Sequence, residues 1–121
     1  MLLYDLIIET GMPHLEENLR YATRHERRCL ERDSLFTAFP ILDHPALAGC
    51  SLKDPVQHRD RVTYTLVCNG GHGTTGQAVW RLSEYHLRGT LNVKLGGKNM
   101  TFYQRITATS HGSCETEPGK N

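Results

Sequence analysis

A chain of 121 residues fits one domain with one modest core. Its 14 Lys and Arg against 13 Asp and Glu leave a formal charge of +1, without the cationic excess that general polyanion binding needs, so nucleic acid is not an expected partner. No run approaches the roughly 18 apolar residues of a membrane-crossing helix, and no membrane span is expected.

In chain order, Leu2 to Thr10 is apolar and β-branched enough for a strand, closed by Gly11-Met12-Pro13 because proline lacks the ladder donor. Met1 runs almost directly into that strand with no basic and apolar leader, so the chain reads as the mature form of an exported protein whose signal peptide is removed. Leu19 to Arg28 alternates well enough for a second strand, and a helical reading fits nearly as well. Cys29 to Phe39 has the pattern of one short helix, and Pro40, Pro45 and Gly49 make the next segment a loop.

From Cys50 onward, three turns can be tested by the residues they bring face to face. A turn centred on Arg59 sets Val56 against Val62, Asp54 against Tyr64, Leu52 against Leu66 and Cys50 against Cys68. A turn at Ser83 to His86 sets Leu82 against Leu87, Trp80 against Gly89 and Ala78 against Leu91, and one at Gly96 to Asn99 sets Leu95 against Met100, Val93 against Phe102 and Gly89 against Ile106. The last two turns select the same face of their shared strand. Leu87, Gly89, Leu91, Val93 and Leu95 lie on it, while Arg88, Thr90, Asn92 and Lys94 point the other way, as in a half-buried antiparallel strand.

The expected fold is mainly β, an antiparallel meander of about six or seven strands, either curled and barrel-like or open and closed by the Cys29 segment. Residues 1–114 form the single domain and 115–121 a flexible tail. The four cysteines contain no C-x-x-C pair, which disfavours zinc and favours two disulfides. The first hairpin makes Cys50 and Cys68 cross-strand neighbours, with Cβ atoms about 4.5–5.5 Å apart, leaving Cys29 for Cys114.

Cys68 with its Gly-rich loop, Leu87-Arg88-Gly89-Thr90-Leu91-Asn92-Val93, Gly97-Lys98-Asn99-Met100-Thr101 and the closing Gly112-Ser113-Cys114 form a familiar pattern. With Tyr4 near the start and Cys29 before the helical segment, the chain resembles the small exported bacterial proteins of domain-of-unknown-function family 3617. The resemblance implies a periplasmic or envelope location and implies no activity.

Candidate chemistry is sparse. The loop Asn69-Gly70-Gly71-His72-Gly73-Thr74-Thr75-Gly76 lacks the Lys and Ser/Thr of a P-loop, having Gln77 and Ala78 there, and reads as a hairpin turn. Adjacent residues on a strand end point in different directions, so His111-Gly112-Ser113-Cys114 is no nucleophile and base pair, and no catalytic residue is expected. None of the seven histidines stands in an H-x-H or H-E-x-x-H arrangement, and no metal or cofactor is expected, with His58 and His86 the pair to test first. Arg20, Arg24, Arg27 and Arg28 form the densest basic stretch, a candidate for an acidic protein partner, although Glu26 interrupts it. Gln104 is the one polar residue expected on the apolar face, either a satisfied core amide or the lining of a ligand pocket with Tyr64, Trp80 and Phe102.

These features lead to a non-enzymatic periplasmic binding module or accessory subunit, docking through its outer sheet face or the Arg20–Arg32 segment. The alternatives are a carrier of small apolar ligands and a periplasmic metal binder using loop histidines.

Overall fold

The structure, a computed structural model, describes residues 2–11, 21–70, 73–96 and 100–114. Among them seven strands form one antiparallel sheet: β1 (Leu2–Gly11), β2 (Tyr21–Leu30), β3 (Cys50–His58), β4 (Arg61–Cys68), β5 (Thr75–Leu82), β6 (His86–Leu95) and β7 (Met100–Ser113). Their spatial order is β2-β1-β7-β6-β5-β4-β3. The segment that could have been helix or strand is β2, paired along its length with β1, which runs from Leu2 opposite Leu30 to Gly11 opposite Tyr21.

The ladders of β5 with β6 and β6 with β7 have the expected registers, including Trp80 opposite Gly89 and Gly89 opposite Ile106. The hairpin β3–β4 keeps Cys50 opposite Cys68 and Leu52 opposite Leu66, but Val56 faces Thr63 and not Val62, and Asp54 has no partner opposite Tyr64. The cause is a bulge between Lys53 and Val56. Asp54 is left-handed at φ 56°, Pro55 offers no N–H to the ladder, and the register moves by one residue before the turn at left-handed Arg59. Val56 is thereby moved to the outer face, where it is 65% exposed.

The sheet does not close. β2 and β3 are its two edges, and residues 31–49 run from one to the other across the apolar face as a strap. The expected short helix is replaced there by three 3-10 turns, Arg32–Thr37, Pro40–Asp43 and Pro45–Leu47. Prolines at the start of two of them limit each to a few residues. Leu35, Ala38, Phe39 and Leu47 of the strap are buried against Tyr4, Leu6, Ile8, Trp80, Leu87, Leu91 and Ile106 of the sheet.

Both disulfides stand at the roots of the strap. Cys29 joins Cys114 just before it, and Cys50 joins Cys68 just after it, with Cα atoms 5.9 and 3.9 Å apart respectively. They lie at opposite ends of the sheet. No helix among the described residues is long and apolar enough to cross a membrane.

Candidate functional site

The inner face is full. Trp80 lies flat over Gly89, where an added Cβ would come within 2.6 Å of the indole, and Phe39 covers it with ring centroids 5.3 Å apart. The Gln104 amide donates to Thr10 Oγ1 at 2.9 Å, and its carbonyl oxygen accepts the backbone N–H of Ile41 at 3.1 Å. Its partners are therefore protein groups, and the amide ties β1 and the strap to β7. Tyr64, buried beside the strap with Phe36 at 6.2 Å, has its phenol pushed above the ordinary value by burial first and by Asp33 second. Phe102 packs in the same core and also borders a cleft near the β5–β7 end.

The arginine stretch is not one patch, because side chains alternate along a strand. Arg24 and Arg28 lie on the face that holds Leu30, opposite Ile8 and Tyr4, while Arg27 lies on the other side. Each guanidinium is already engaged: Arg24 with Glu26 at 3.0 Å, Arg27 with Asp5 at 2.7 Å, and Arg28 with Glu26 at 3.5 Å and with the Ala38 carbonyl at 3.1 Å. Arg20 lies outside the described residues, as do His14 and His72. Inward-pointing charges on an edge strand discourage a second chain from adding to it, and that accounts for Arg24, Glu26 and Arg28.

His58 and His86 share an end of the sheet but stand on β3 and β6, with β4 and β5 between them. Three inter-strand spacings separate their backbones by about 14 Å, whereas two imidazoles on one zinc ion each bind at about 2.1 Å. They are no ligand pair. Among the described residues, no group of three His, Cys, Asp or Glu could hold a metal ion.

The surface left uncovered is the outer face. β4, β5, β6 and β7 contain no aspartate or glutamate, yet their outward positions carry Arg61, Arg81, Arg88, Lys94 and Arg105. None of these five appears in an ion pair among the described residues, and all four pairs there involve Asp5 or Glu26 on the β1–β2 side. Arg105 instead stacks 4.6 Å from the centroid of the Tyr103 ring, which itself lies over Gly11. Among the described residues, two clefts adjoin these cations. One of about 480 Å³ is bordered by Gln77, Asn92, Lys94 and Tyr103, and one of about 230 Å³ by Asp60, Arg81, Ser83, His86 and Arg88.

Sequence reading missed this segregation because it counted charge over the whole chain, where the acids of the N-terminal part cancel it. The signal was present, since outward positions of β6 were assigned correctly and the run from Arg61 to Ser113 holds a single acid, Glu84.

Fold and surface together define an open antiparallel β-sheet domain, strapped on its apolar face and cationic on its free face. Comparison of the chain with protein-family models, with curated proteins and with solved structures finds no match in any of the three.

Proposed function

We propose that this protein is a non-enzymatic envelope binding module, or an accessory subunit, whose outer face over β4 to β7 docks onto an anionic partner. One observation carries the reading: the outward positions of β4 to β7 bear five cations and no acid, and none of the five stands in an ion pair among the described residues, with Glu9 of β1 opposite Arg105 and Asp60 beside the cleft of Arg81 and Arg88 the carboxylates at the margins. Exposed charges of one sign raise the local concentration of the opposite sign and speed encounter. The inner face, by contrast, is occupied by the strap. The envelope location is supported by two disulfides, which persist in oxidising compartments, and by the likeness to family 3617.

The test is a photo-activated cross-linking side chain placed at Asn92 on the outer face and, separately, at Asp43 on the strap, in the cells that make the protein. A discrete adduct from Asn92 and none from Asp43 is the expected result. No adduct from Asn92, or turnover of a substrate that one polar substitution abolishes, would overturn the proposal.

A further inference from the structure

At the Ser83 end of the sheet the ladder registers make one unbroken row: His58 opposite Arg61, Arg61 opposite Arg81, and Arg81 opposite Arg88. All four side chains are exposed on the outer face. Adjacent strands are about 4.8 Å apart, so three guanidinium groups spring from backbone positions spanning about 10 Å. Like charges directly opposite each other destabilise a sheet. A row of three across neighbouring strands, none of them in an ion pair among the described residues and with one carboxylate, Asp60, bordering the cleft of Arg81 and Arg88, is a conflict that a bound anion eases.

The donor set indicates which anion. Each guanidinium offers a planar fork of N–H donors. One fork satisfies a carboxylate, with its two oxygens and single charge. A tetrahedral oxyanion has more oxygens and, as phosphate, more charge, so it can accept forks from two or three arginines at once. Arg81 and Arg88 border the cleft of about 230 Å³, His86 borders it too, and Asp60 contributes an opposing charge at its margin. The turn beside it is held by the Ser83 hydroxyl on the His86 carbonyl at 2.9 Å and by Arg32 of the strap on the Ser83 carbonyl, so Arg81 and Arg88 project from a braced hairpin.

We propose that Arg61, Arg81 and Arg88 form a site for a phosphate-type oxyanion, a proposal that rests on the docking face above and names the chemistry it recognises. The experiment titrates the ¹⁵N-labelled full chain with inorganic phosphate, and in parallel with glycerol phosphate, following amide shifts at ionic strength held constant with sodium chloride. Saturable shifts at Arg61, Arg81, His86 and Arg88 are expected, with affinity about tenfold or more weaker in Arg88→Gln. Lys53→Gln, an exposed cation on β3 outside the β4 to β7 face and opposite Thr65, is expected to leave affinity unchanged. Tighter binding of glycerol phosphate assigns the site to an esterified group on a larger molecule, and tighter binding of inorganic phosphate assigns it to the free ion. Shifts that chloride alone reproduces, an Arg88→Gln constant equal to that of the unaltered protein, or an equal loss in Lys53→Gln would each overturn the site. That failure with the Asn92 cross-link intact would leave the docking face standing; loss of both would remove the face as well.

Discussion

Tyr64 is the residue whose chemistry the fold alters most visibly. In the unfolded chain its phenol titrates near the ordinary 10.0, while burial beneath the strap and the nearby Asp33 raise it in the folded state. Between the two values the folded protein holds a proton that the unfolded chain has lost, so stability falls as pH rises through that window and is fully present below pH 10.0. Urea midpoints measured from pH 8.5 to about 11 should decline, and Tyr64→Phe should decline less steeply; equal slopes would mean that Tyr64 is not the responsible group. Two glycines act at the same scale. Gly89 makes room for the Trp80 ring, and Gly112, left-handed at φ 103°, lies in the irregularity that shifts β7 against β1 between Leu2 and Tyr4.

Among the elements, the strap depends most on others. It has no long helix of its own, and its 3-10 turns hold few internal hydrogen bonds, so its order comes from Leu35, Phe39 and Leu47 packing on the sheet and from the anchors of Arg28, Arg32 and Gln104. The disulfides hold its two roots. By the chain-entropy relation, the Cys29–Cys114 link, spanning 85 residues, contributes about 4–5 kcal/mol, and the Cys50–Cys68 link, spanning 18, about 3 kcal/mol. Replacing Cys29 and Cys114 with Ala should therefore cost more stability than replacing Cys50 and Cys68. In either variant the strap amides of Ala38, Leu42 and His44 should exchange with deuterium well before those of β5 and β6. Simultaneous exchange of strap and sheet would show that the strap is not a separate unit.

Over the whole molecule, charge is sorted by strand. Cations of β2 are paired with Asp5 and Glu26, whereas Arg61, Arg81 and Arg88 on β4 to β6 face one another, and Lys94 stands opposite threonines. Both sheet edges are protected, by inward charges on β2 and by the Asp54–Pro55 bulge on β3, so the broad face is the surface left for association. A face kept for binding at a cost to the fold should be measurable. Arg81→Gln is expected to raise the melting temperature at low salt, where Arg61 and Arg88 repel it, with the gain disappearing near 1 M sodium chloride as screening shortens to about 3 Å. A loss of stability at low salt would mean that the row is not under strain.

Short-range periodicity made much of this legible in the sequence. The alternation of Leu87 to Leu95, the turn that brings Trp80 to Gly89, and the burial of Gln104 all depend on neighbours a hairpin apart, where register follows from turn and pleat, while Cys50 meets Cys68 because the bulge at Asp54 offsets by one residue the register its turn sets. What depends on strands distant in sequence was decided by the tertiary structure. Pairing β1 between β2 and β7 fixed the edges and left the sheet open. The strap's route over the core replaced a helix with 3-10 turns, and one bulge at Asp54 moved Val56 to the outer face. The arginine row belongs to the same class. Arg61, Arg81 and Arg88 are scattered along the chain, and only the registers of two successive hairpins, β4–β5 and β5–β6, place them side by side.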